Sequence, residues 1–113
     1  MYDINRNALI LIPTKLLYDW ANQIFPDDPL EEQSLLEHDQ ANIYLIPEFE
    51  TIEEALEWVE ENYEYFLVQE LAEWTEDERR WPQDTSWEMF RKWFHISIQS
   101  VVMDCLEEPL LRD

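Results

Sequence analysis

A chain of 113 residues without a single glycine has few ways to turn. Glycine enters left-handed backbone conformations freely, and two-residue hairpins of the Asn-Gly or Asp-Gly kind depend on it. Connections are therefore expected to run through helices and Pro/Asp turns. The same absence excludes the phosphate-cradling P-loop and the dinucleotide fingerprint, whose tight turns need glycine. It also removes a nucleophile elbow as a setting for Ser97 or Ser100.

The apolar pattern then sets the elements. Ala8-Leu9-Ile10-Leu11-Ile12, closed by Pro13, reads as a strand buried on both faces. Thr14 is placed to cap a helix carrying Leu17, Trp20, Ala21 and Ile24 at helical spacing. Asp28-Pro29-Leu30-Glu31 opens a short helix through Leu35 and Leu36. Ile43 to Ile46 reads as a second strand. Thr51-Ile52-Glu53-Glu54 is a capping box for the longest helix, to about Trp74. Ile52, Leu56, Val59, Tyr63, Phe66, Leu71 and Trp74 form its buried face. Trp58, Tyr65, Val68 and Ala72 make a second stripe, so it is expected to be covered on two sides.

Thr85-Ser86-Trp87-Glu88 is a further capping box, starting a helix with Trp87, Phe90 and Phe94 on one face. Residues 96–102 read as a third strand, of undetermined direction. The expected fold is a single domain over 1–113: a small layered α/β (or α+β) fold, three strands covered by helices, in the order β-α-(α)-β-α-α-β. The apolar strand–helix–strand start favours a right-handed parallel crossover.

Charge bounds the partners. Acidic residues number 27 and basic residues 7, a net charge of −20. Phosphate backbones and anionic membranes are repelled, so neither direct nucleic-acid binding nor membrane binding is expected. A basic protein is the partner this balance suits. Acidic disordered tails are poor in aromatics, whereas 14% of this chain is aromatic, so a folded core is expected. The single cysteine, Cys105, allows no internal disulfide and fits a reducing compartment. The opening residues lack the pattern of a signal peptide, and the apolar runs are too short to span a bilayer, which points to the cytoplasm.

The segments Asn7-Ala8-Leu9-Ile10, Asp19-Trp20, Tyr44-Leu45-Ile46-Pro47-Glu48, Glu70-Leu71-Ala72-Glu73-Trp74, Trp81-Pro82-Gln83, Phe90-Arg91-Lys92-Trp93-Phe94 and Ser100-Val101-Val102-Met103-Asp104 resemble a family of short, acidic, uncharacterised bacterial proteins. The resemblance covers nearly the whole chain. It implies a bacterial cytosolic origin and supplies no activity and no catalytic residues.

Few residues suggest chemistry. With 27 carboxylates, pairing alone selects nothing. Asp104 stands out because it follows an apolar run, but a strand-end residue facing solvent or capping a turn accounts for it better. His38-Asp39 and His95 lack the spacing of zinc sites. Cys105 sits among acids, without the electropositive setting a nucleophile needs, and reads as a small packed residue. No catalytic residue, metal site or cofactor is assigned.

Two features remain. Glu53, Glu57, Glu60 and Glu64, with Glu54 and Glu61, share one broad face of the long helix. At 1.5 Å rise per residue this acidic ridge is roughly 16 Å long. Arg79, Arg80, Trp81, Arg91 and Trp93 form a basic and aromatic group of the residue types common at interface hot spots. Alternatively, those cations pair with the glutamate helix and the rings fill the core. The leading reading is a non-enzymatic binding or adaptor module for a basic protein. The alternatives are a small enzyme or ligand-binding protein with a carboxylate-lined pocket near Asp104, His95 and Trp81, and a structural homodimer.

The charge balance makes one prediction. Like charges repel more in the compact state than in the expanded one, and salt screens that repulsion. The melting temperature should rise between low and moderate NaCl. A fall would mean that attractive ion pairs outweigh the net repulsion.

Overall fold

The computed structural model describes residues 1–27 and 41–113. The expected helix through Leu35 and Leu36 and the His38-Asp39 pair lie outside them. The strands are β1 (Tyr2–Asp3), β2 (Arg6–Pro13), β3 (Asn42–Pro47), β4 (Phe94–Gln99) and β5 (Met103–Asp104). The helices are α1 (Lys15–Ile24), α2 (Ile52–Ala72) and α3 (Trp87–Trp93), with a 3-10 turn at Glu78–Arg80. The fold is a small mixed α/β architecture, and the three expected strands are all present.

The expected parallel crossover is corrected. β2 is the centre of a sheet ordered β3-β2-β4, and both neighbours run antiparallel to it. Asn42 at the start of β3 stands opposite Leu11 near the end of β2, so the chain re-enters the sheet at the end it left. The unbroken apolar run of β2 reflects its central place. Its odd residues Leu9 and Leu11 face the helices and are fully buried. Its even residues Ala8, Ile10 and Ile12 lie on the other face, sheltered in part by side chains of β3 and β4.

The helices therefore cover one face of the sheet, not both. Leu9, Leu11, Ile46 and Phe94 join Leu17, Ala21, Val59, Phe66, Leu71 and Phe90 in one hydrophobic cluster. On the opposite face Ile43 is 64% exposed, Leu45 47% and Ile12 37%.

The third strand stops at Gln99 rather than 102. β1 and β5 pair antiparallel as a two-stranded ribbon, Tyr2 opposite Asp104. Between the Asp3–Met103 pair and the Ala8–Gln99 pair, the first strand has one residue more than the second. That offset is the count of a β-bulge, which breaks a ladder and bends it.

Side chains build the turns that glycine would otherwise serve. No described residue has positive φ. Instead, Asp77, Asp84 and Asp104 accept hydrogen bonds through Oδ1 from the backbone N–H two residues on, at 3.1, 3.0 and 2.9 Å. Thr75 Oγ1 does the same for Asp77 at 3.1 Å. Such bonds replace a backbone turn bond locally.

Of the three caps, Thr51 accepts from Glu54 N–H at 3.2 Å as expected. The last cap shifts by one residue: Ser86, not Thr85, accepts from Met89 N–H at 3.2 Å. Thr85 serves otherwise, its carbonyl accepting from the Tyr63 hydroxyl at 2.8 Å. Thr14 precedes α1, yet its hydroxyl donates to the Lys92 carbonyl at 2.7 Å and ties α1 to α3.

Candidate functional site

α2 carries the acidic ridge. Its buried stripe is Ala55, Val59, Phe66, Leu67, Glu70 and Leu71, with Tyr63 half-buried between. Glu53, Glu54, Glu57, Glu60, Glu61 and Glu64 are all exposed. Glu53 and Glu54 sit in the first turn, where carboxylates favour the helix dipole. The expected second stripe is covered only in part: Trp58 and Ala72 are half-buried, Trp58 against the core, whereas Tyr65 and Val68 are exposed. Ile52 and Leu56, expected inside, are half-exposed at the edge of the buried stripe.

The cations engage elsewhere. Among the described residues the ion pairs are Lys15–Asp19 and Arg79–Asp77, each at 3.0 Å. The Arg80 guanidinium donates to the Ile24 carbonyl at the end of α1, at 2.9 Å. The Arg80 carbonyl in turn accepts from the Trp20 indole N–H at 2.9 Å. The Trp20 ring lies 5.9 Å from that of Trp93. Arg80 and Trp93 thus meet through Trp20 and hold α1 against the chain before and within α3.

The rest of the basic and aromatic group is dispersed. Trp81 donates its indole N–H to the Thr75 carbonyl at 2.9 Å and faces a hollow of about 410 Å³ beside Leu67, Val68 and Leu71 of α2. Arg91 lines a separate hollow of about 360 Å³ with His95, Ile52, Leu56, Ile96 and Ile98. Arg79 stands exposed on its own turn. Trp87 and Phe90 belong to the packing around the core, as expected, with rings stacked at 5.8 Å.

The carboxylate pocket near Asp104, His95 and Trp81 is not assembled by these elements. Asp104 is half-buried in the ribbon and caps the turn at Leu106. His95 and Trp81 line different hollows. Cys105, expected to be packed, is exposed because the chain leaves the sheet before reaching it. Among the described residues no three histidine, cysteine or carboxylate side chains gather as a metal site. No described helix is long and apolar enough to cross a membrane.

Sequence reasoning misses two buried polar residues. Glu70 lies on the inner stripe of α2, four residues after Phe66, and that position is the signal that could have found it. Asn42 Nδ2, on β3, donates to Glu70 Oε2 and to Glu73 Oε2, both at 2.9 Å. Among the described residues Glu70 Oε1 has no hydrogen-bond partner. Burial, opposed by the Asn42 hydrogen bond and aided by the Glu73 charge, pushes the Glu70 carboxyl up to about 7. Burial and the charges of Glu70 and Glu73 likewise raise the neighbouring Tyr44 hydroxyl. Asn7 is buried on the inner face of β2, and neither of its amide atoms has a hydrogen-bond partner among the described residues.

Compared with models of known protein families, with curated proteins and with solved structures, the chain matches none.

Glu70 makes a signed prediction. Its pKa is higher in the folded state than in the unfolded one, so the folded state binds more protons between about pH 4.5 and 7. Stability from this group is full below pH 4.5 and falls as pH rises through about 7. Glu70→Gln keeps an acceptor for Asn42 and removes the charge. It should stabilise the protein at pH 8 by on the order of 2–3 kcal/mol and leave it nearly unchanged at pH 4. Urea unfolding of both proteins across this range checks it, and parallel pH profiles would contradict it.

Proposed function

We propose that this protein is a non-enzymatic binding module that presents the acidic face of α2 to a basic protein partner in the cytoplasm. The observation carrying this reading is the exposed glutamate row from Glu53 to Glu64, which takes part in neither of the described ion pairs. Glu53, Glu57, Glu60 and Glu64 recur at spacings of three and four, so one partner surface can meet all four. The ridge sits on a helix anchored to the core by Ala55, Val59 and Phe66, which holds its charges in a fixed line.

Such a face acts chiefly by steering. Complementary fields accelerate encounter, and salt screens that acceleration. The exposed Tyr65 lies beside the ridge and supplies an aromatic contact of the kind enriched in interfaces. A solvated helix face with no partner is the competing account.

The quadruple Gln variant at Glu53, Glu57, Glu60 and Glu64 should keep the wild-type circular dichroism and gain stability, because repulsion along the helix is relieved. In affinity capture from the source cell it should lose a partner that wild type recovers at low salt. Association of that purified partner should be slower with the variant, and the difference should vanish as salt rises. Equal recovery of the same partners by both proteins across a salt series would end this reading.

A further inference from the structure

The acidic row of α2 runs on into a hollow. Glu64, the last glutamate of the row from Glu53, is followed at helical spacing by Leu67, Val68 and Leu71, and together they form one wall of the hollow of about 410 Å³. Glu78, Trp81 and the chain just after it form the other wall.

The lining points to a cation. Glu64 and Glu78 are exposed, and neither takes part in an ion pair among the described residues. No basic residue is part of the lining, although Arg79 and Arg80 directly precede Trp81. Arg79 pairs with Asp77, and Arg80 reaches to the Ile24 carbonyl. Besides the carboxylates the walls offer apolar surface, from the exposed Val68 to the Trp81 ring. That ring is anchored by the bond from its indole N–H to the Thr75 carbonyl.

We propose that this hollow takes the side chain of an arginine from the basic partner, its stem against Val68 and Trp81 and its guanidinium toward Glu64 and Glu78. The proposal rests on the reading of α2 as the surface for that partner, and it names the residue the partner supplies. The chemistry selects arginine. A guanidinium stacks on an aromatic face and meets carboxylates through a planar fork of N–H donors. Its aliphatic stem covers apolar surface while the charged head stays in contact with water. Lysine presents a point charge that holds its water more strongly. An anionic group is repelled by Glu64, by Glu78 and by the net charge of −20.

The two parts of the surface then act on different rates. The row from Glu53 to Glu60 steers the basic segment and sets association, which salt screens. A side chain seated in the hollow slows dissociation.

NMR titration of the labelled protein with acetyl-hexaarginine amide tests this. The indole N–H signal of Trp81, assigned by its loss in Trp81→Phe, should move together with the backbone amides of Val68, Glu78 and Trp81. Acetyl-hexalysine amide, of equal charge, should bind less tightly. Trp81→Leu should weaken hexaarginine binding about two- to five-fold, the worth of a cation–π contact at an exposed site. Val68→Lys should weaken it more than Gln69→Lys, which brings the same charge to an exposed neighbour outside the hollow. Equal affinity for the two peptides, or equal losses in the two Lys variants, would overturn the proposal. Shifts confined to residues 53–64 would also overturn it and leave the acidic-face reading standing. The triple Gln variant at Glu53, Glu57 and Glu60 separates the two in the other direction: Trp81 should still move at saturation. Unchanged association in that variant would uphold the hollow and remove the row from the reading.

Discussion

Burial of one row of β2 beneath the helices holds the rest of the molecule in place. Leu9 and Leu11 are fully enclosed and share one hydrophobic cluster with side chains of all three helices. Full burial of such a side chain is worth about 1.5–3 kcal/mol. Without that row, α2 has no surface for Val59, Phe66 and Leu71, and its glutamates have no fixed direction. The Arg80–Trp20–Trp93 contacts and the Thr14–Lys92 bond then fasten α1 to α3 over the same row.

The excess of acid divides by role. Asp77, Asp84 and Asp104 close turns in a chain that has no glycine for them. Glu70 is held inside and shares the Asn42 amide with Glu73. The other glutamates of α2 point to solvent, and the open sheet face carries no acid. A chain of this charge thus leaves one face of the sheet without carboxylates. The adaptor reading uses the exposed glutamates of α2.

Much of the fold was legible from residue pattern. The three apolar runs became strands, and Thr51 capped the long helix where its box begins. Strand direction was not legible, because a central antiparallel strand and a parallel one are both apolar on both faces. The ribbon of β1 and β5 escaped notice since two-residue strands carry no periodicity. The stripe of α2 was drawn through Ile52 and Leu56 because they are large, whereas Ala55 and Glu70 are the residues that face inward. The ridge glutamates lie exposed as their spacing suggested. The group of Arg79, Arg80, Trp81, Arg91 and Trp93 looked like one patch because it is close in sequence. Hydrogen bonds to Ile24 and Thr75 carry Arg80 and Trp81 to different neighbours.

One-sided cover of the sheet is the central claim about this fold, and paired truncations measure it most directly. Leu9→Ala and Ile43→Ala remove side chains from opposite faces of one strand pair. Urea unfolding should show a loss of about 2–5 kcal/mol for Leu9→Ala, the range for emptying a packed core site. Ile43→Ala should cost about 1 kcal/mol or less, as for an exposed strand position. Similar losses at the two sites would contradict the account, because they would mean that both faces of the sheet are packed.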